Sequence, residues 1–363
     1  MALAGSFQIL MLYDVADAIR LDELRRILGL SGPERLPQFT HRTPEYVRFE
    51  RPPVVQQIHP SQIGAGEHVE LRAKYYDYGV ISIESGAAFE GDWTGLVERS
   101  SRWIDAPGIE SRCMECVRRC LAAAAPALIN PYADWLNEDY YVIHLKEARD
   151  PDGRPATAAD LISGHGGEIA QIVRGESTPL AESERQEILQ SRISYYPGDL
   201  VVVGWKAALV YDSVEGAAPT IQLLEYANTQ LLEFRHYDNL LTRVLGEVYK
   251  LTERRRGLLS RWRLAQQAER LNTIRLDVME IAERTDNSIK FLSDMFYARV
   301  YRLAAAKVGV QDYKNLVDQK LRAAAELYRF MVDQFQESRA FLLELIVVFI
   351  LVIEIVLAFK GRF

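Results

Sequence analysis

Cysteine is scarce: three in 363 residues, too few for a disulfide framework. Cys113, Cys116 and Cys120 recur at helical spacing on one face, together with Ile109, Val117 and Leu121. That grouping reads as a buried face of small apolar side chains. As a thiolate metal set it lacks a fourth ligand nearby in sequence. Excess positive charge is also missing. The formal net charge is -7, which excludes a nucleic-acid binder by overall charge. Proline does not occur after Pro219, so nothing of that kind interrupts a helix in the last 144 positions.

The signatures of several chemistries are absent as well. The chain has no Gly-x-x-x-x-Gly-Lys-Ser/Thr loop, no His-Glu-x-x-His pair and no Gly-x-Ser-x-Gly elbow. The glycine-rich stretch Ser163-Gly164-His165-Gly166-Gly167-Glu168 lacks the Gly-x-Gly-x-x-Gly spacing, and Glu168 would repel a phosphate. It reads as a loop or a helix crossing. The six histidines (His41, His59, His68, His144, His165, His236) are scattered, and His144 reads as structural. No catalytic residue, metal ligand or cofactor is assigned, and enzymatic activity is left open, leaning against it. The N-terminus lacks a basic region and resembles neither a secretory signal nor a transit peptide, so the body is expected in the cytoplasm.

What is present divides the chain. Hydrophobic residues make up 48%, enough to exclude disorder as the main state. Residues 6–13 read as a buried strand and 16–30 as a helix. Residues 68–83 alternate and read as a strand pair or one long strand, with a further strand expected at 46–49. Asp92 is placed to cap a helix, and a second helix runs from about 109 to 125, stopped by Pro126. Residues 140–145 form a strand, and short helices are expected at 158–162, 168–174 and 182–190. Pro197-Gly198-Asp199 turns between two strong strands. Residues 1–215 therefore read as an α+β domain.

Residues 216–340 carry no strand signal and read as a stalk of long helices turning near Gly309. Leu271, Ile274, Val278 and Ile281 follow a 3-4-3 spacing. Val317, Leu321, Ala324, Tyr328, Met331 and Phe335 follow 4-3-4-3-4, and the register extends through Leu342, Leu345, Phe349, Val352 and Val356. The seam serves intramolecular packing and is assigned to oligomerisation as well. Residues 341–359 are apolar except Glu344 and Glu354, and nineteen helical residues span roughly 28 Å, near the ~30 Å hydrocarbon core of a bilayer. The expectation is a single C-terminal transmembrane helix, with 360–363 as a short tail. The bulk of the chain would then face the cytoplasm from an inner (plasma) membrane. Glu344 and Glu354, as intramembrane carboxylates off the seam, would need a second neighbour. Arg254, Arg255, Arg256, Arg261 and Arg263 form a local basic stretch that meets either RNA, lipid headgroups or solvent.

The strand Tyr75-Tyr76-Asp77-Tyr78-Gly79-Val80 resembles the aromatic-Tyr-Gly-Val strand of the "required for meiotic nuclear division" family, a group of unknown function. The run from Leu231 to Asp238 followed by Val248-Tyr249 resembles its central helix. Leu343-Glu344 with Ile353-Glu354 resembles its closing membrane helix. Leu345 stands where that family usually has Trp, and 151–179 matches poorly. The resemblance implies a membrane-tethered, self-associating protein, with translation support at the inner membrane in mitochondrial members. The expected function is a membrane-anchored, self-associating scaffold with a cytoplasmic recognition domain. Its partners would be membrane lipids, further copies of the chain, a cytoplasmic protein and, more weakly, RNA. The alternatives are a tethered ligand- or nucleotide-binding regulator or enzyme, and an RNA or ribosome tether.

Overall fold

A computed structural model describes residues 1–30, 52–58, 70–104, 106–253, 266, 269–276, 278–279 and 296–360. The chain divides into two compact units: Met1–His236 with Arg284–Tyr313, and Tyr237–Glu283 with Lys314–Phe363.

The first unit is built on an eight-stranded sheet. In chain order its elements are β1 (Ala2–Ile19), α1 (Leu21–Ile27), β2 (Val54–Ile58), β3 (Glu70–Tyr75), β4 (Val80–Gly91), α2 (Trp93–Ile104), α3 (Ile109–Ala124) and β5 (Leu128–Arg149). Then come α4 (Ala158–Arg174), α5 (Glu182–Gln190), β6 (Arg192–Ile193), β7 (Leu200–Val203), β8 (Ala207–Tyr211) and the start of α6 (Val214–Glu253). Spatial order is β2-β3-β4-β1-β5-β8-β7-β6. Among the described pairings β5 with β8 is parallel and the others are antiparallel. The intervening α4, α5, β6 and β7 supply the long crossover that a parallel pair requires.

β1 is central and buried on both faces, so its apolar run is nearly continuous rather than alternating. One face sends Phe7, Ile9, Met11 and Tyr13 into a core shared with α1 to α4. The helix expected over 16–30 is corrected at its start: β1 continues to Ile19, because Ala16 and Ala18 pair with Pro131 and Ile129. The 68–83 stretch resolves into two strands, and Asp92 Oδ1 accepts from the Gly95 amide 2.8 Å away, as a cap does. The 46–49 strand lies outside the described residues. Helices 158–162 and 168–174 are one helix kinked at His165 (φ -133°, ψ 20°), with Thr157 and Asp160 forming a capping box.

The second unit is helical. It holds the end of α6, residues 269–276, and most of a long helix α8 (Val310–Lys360). Here Val244, Leu245, Val248, Leu271, Ala324 and Met331 form a core, with Leu240, Ile274, Leu327 and Tyr328 against it. Lys320 Nζ donates to Asp238 Oδ1 at 2.5 Å beside that core. A further helix, α7 (Phe296–Val308), belongs to the first unit, and Gly309 at φ +89° separates it from α8.

The expected membrane span is corrected. Among the described residues no helix is long and apolar enough to cross a membrane. Within 341–359, side chains are described at Glu344 and 346–354. The fold is therefore an α+β sheet unit with a helical unit, and the single-pass anchor, its inner-membrane location and the intramembrane role of Glu344 and Glu354 are not retained.

Candidate functional site

The second face of the sheet collects ionisable side chains, and the first half of α6 lies over it. Along α6, Glu225, Thr229, Glu233 and His236 recur every three or four residues, a polar stripe in a helix otherwise lined with Leu223, Leu224, Leu231 and Leu232. From β3, Lys74 reaches both Glu225 (2.5 Å) and Glu84 of β4 (3.0 Å). Glu225 is fully buried. Burial opposes the Lys74 charge, but Glu225 and then Glu84 outweigh it and hold the ammonium above its ordinary pKa. Burial likewise pushes Glu84 up, yet Lys74 wins and lowers it. Burial, reinforced by the Glu225 charge, drives the Tyr76 phenol well above its usual range. Tyr78 shares a hydrogen bond of 2.7 Å with Thr229, and Tyr76 stacks on Tyr78.

A second group lies at the other end of the α6 stripe. Opposite the single residue Val15, β5 carries four residues, 132–135, between the pairings Asp14–Leu136 and Ala16–Pro131. This bulge sets Tyr132 flat against His236, with ring centroids 4.7 Å apart. His236 Nδ1 meets Asp14 Oδ2 at 2.6 Å. Tyr132 and Asn130 both donate to Asp17, each at 2.7 Å. Burial pushes the Asp14 carboxyl above its ordinary value, against the opposing effect of His236. Arg235 pairs with Glu138 nearby. The His236–Asp14 and Arg235–Glu138 pairs join α6 to the sheet by charge-assisted contacts.

His144 is structural, as its strand position suggests. Its Nε2 donates to the Asp212 carbonyl at 3.0 Å, and burial lowers its pKa from an ordinary 6.5. The unfolded chain therefore binds this proton more readily, and stability falls as pH drops below about 6.5. We expect urea midpoints measured at pH 5.5 and 7.5 to differ less in His144→Gln than in the wild type. An unchanged difference would remove His144 from the acid response.

The three cysteines of α3 are buried in the main core. Burial pushes Cys113 up to about 12, while a hydrogen bond from Cys116 brings Cys120 down to about 7 against its own burial. Among the described residues no group of three or more His, Cys, Asp or Glu side chains is placed to hold a metal ion. The glycine-rich stretch lies at the α4 kink, where His165 stacks on Trp93 at 4.8 Å. Arg254, Arg255, Arg256, Arg261 and Arg263 lie outside the described residues.

Of the seam, Val317, Leu321, Ala324 and Met331 are buried, and Tyr328 is half-buried against Ala324 and Met331. Phe349 and Val352, next in the same register, are exposed. The side chains of Phe335, Leu342, Leu345 and Val356 lie outside the described set, as does Ile281. Every residue from 346 to 353 is apolar, and each is 42–63% exposed. Glu344 and Glu354 flank this run and are exposed.

The α6 stripe and its partners were not found from sequence, since Lys74 and Glu225 stand 151 positions apart. The available signal was the period: polar residues at every turn of one face of a helix rich in leucine.

A family model described as "Uncharacterized protein MJ0711, N-terminal domain" matches residues 4–218. The chain is similar to the uncharacterized protein MJ0711 of Methanocaldococcus jannaschii, with 22% identity over 226 residues, covering 62% of this chain and 67% of that protein. No solved structure matches significantly. The matched family is one of unknown function, and the meiotic-nuclear-division resemblance is not confirmed by these matches.

Proposed function

We propose, from the premise that the chain belongs to the MJ0711 N-terminal domain family, that the protein is a self-associating scaffold. In this reading the sheet unit recognises a partner protein, and the apolar end of α8 is where copies of the chain meet. One observation carries it: the unbroken exposed apolar run at 346–353. Exposed apolar runs of this kind mark interaction surfaces. The occupant is a second copy because Phe349 and Val352 continue the register whose earlier members, Ala324 and Met331, already pack against other helices of their own chain. A helix apolar on all sides needs more than one neighbour, so an assembly of more than two chains fits better than a two-stranded seam.

The test is substitution within the run. Phe349→Glu with Val352→Glu should lower the assembly state at fixed concentration, because burying either carboxylate costs several kcal/mol. Asp333→Ala, an exposed change outside the run, serves as control. Equal assembly states for all three proteins would count against the reading. So would a wild-type chain that stays monomeric and instead floats with phospholipid vesicles.

A further inference from the structure

We propose that a cleft in the sheet unit binds a cationic head group, ammonium or guanidinium, carried on an alkyl stem. This deepens the recognition half of the reading above by naming the chemistry recognised. The cleft has a volume of about 330 Å³. Met11, Ile104 and Tyr141 form a buried floor suited to an alkyl stem. Glu110 and Asp139 supply two carboxylates, and Lys206 supplies one cation, which leaves one negative charge in excess. Asn137 donates its amide to Glu110 Oε1 at 2.5 Å and so fixes that carboxylate at the cleft wall.

The cleft already holds a cation of the proposed kind. Lys206 Nζ lies 3.5 Å from Asp139 Oδ2 and 6.0 Å from the centroid of the Tyr141 ring. A carboxylate with an aromatic face is the pairing that recognises ammonium and guanidinium groups. The hold is loose, because the Lys206 side chain is 47% exposed and Asp139 33%, and exposed bridges of that length are weak. Lys206 is thus an internal placeholder that an incoming cation displaces. Its neighbour in the β7–β8 turn, Trp205, is 69% exposed and gives a nearby reporter.

The test is titration of the ¹⁵N-labelled full chain with butylamine, agmatine and acetyl-Gly-Arg-Gly-amide, followed by amide shifts at Tyr141, Trp205 and Lys206. Saturable binding is expected in the wild type. Lys206→Met should tighten it by about tenfold by vacating the cleft, and Asp139→Asn should weaken it by about tenfold, the scale of one charge-assisted contact. Binding by the peptide as well as the free amines would assign the ligand to a basic side chain of a partner. Binding by the amines alone would assign it to a small free amine. No saturable binding in either the wild type or Lys206→Met would overturn the proposal, as would equal binding by Asp139→Asn. Self-association is read separately by sedimentation, so failure here leaves the scaffold reading standing, and the reverse holds too.

Discussion

Replacing Gly79 with alanine should destabilise the sheet unit by about 3 kcal/mol or more. Gly79 closes the turn between β3 and β4 at φ +95°, a left-handed conformation that costs alanine about 1 kcal/mol or more. The larger part is steric. A Cβ there would lie 1.8 Å from the Ala16 carbonyl oxygen, a backbone atom that cannot rotate aside. Overpacking of that kind adds roughly 1–3 kcal/mol. Nor can the turn retreat cheaply. Val15 donates to the Gly79 carbonyl (3.1 Å) and Ile19 to the Asp77 carbonyl (3.0 Å), so the end of β1 is bonded to this turn. The turn also places Tyr78 against Thr229, linking the strain to the seating of α6. Urea unfolding of the two proteins is the check. A midpoint shift equivalent to less than about 0.5 kcal/mol, the ordinary surface value, would mean the close approach is not real.

Lys74→Met should cost about 3–5 kcal/mol, the usual penalty for removing one partner of a buried ion pair. The substitution leaves Glu225 fully buried and Glu84 half-buried, with their shared ammonium gone. The double variant Lys74→Met/Glu225→Gln should recover a large part of the loss, because it removes the stranded charge. The pH dependence gives an independent reading. Glu84 is lowered by Lys74, so its contribution is present above the ordinary value of 4.5 and is lost as pH falls through the lowered one. Lys74 is raised, so its contribution holds below 10.5 and is lost as pH rises through the raised value. Without Lys74, burial favours the neutral form of Glu84, and the variant should gain stability on mild acidification where the wild type does not. No stability loss in Lys74→Met would show that the cluster is not what seats α6.

Local patterns were legible and pairings were not. Alternation in 68–83 and the Asp92 cap are short-range signals, and both correspond to elements found in the structure. The break between the two expected helices around residue 165 corresponds to the kink in α4. By contrast, 16–19 alternates weakly and contains helix-favouring alanines, but pairing with a β5 segment more than a hundred residues away holds it extended. The first part of β5 was missed for a related reason. Pro131 and Asn130, with φ +47° at Asn130, argue against a strand locally, yet the segment runs along β1 beyond the bulge. The polar clamp is non-local between elements: Asp14, Lys74, Glu84, Glu225 and His236 sit on three strands and a helix, and no spacing rule joins the strand members to the α6 stripe. At the chain's end, composition alone suggested a membrane span, and a count of apolar residues does not distinguish lipid from other chains as the cover.

The most direct measurement of the central claim is sedimentation velocity on the full-length protein over a hundredfold range of concentration, without detergent. The scaffold account predicts a reversible shift from a smaller species to a defined oligomer of more than two chains, abolished by Phe349→Glu with Val352→Glu. A single monomeric species across the whole range would contradict it.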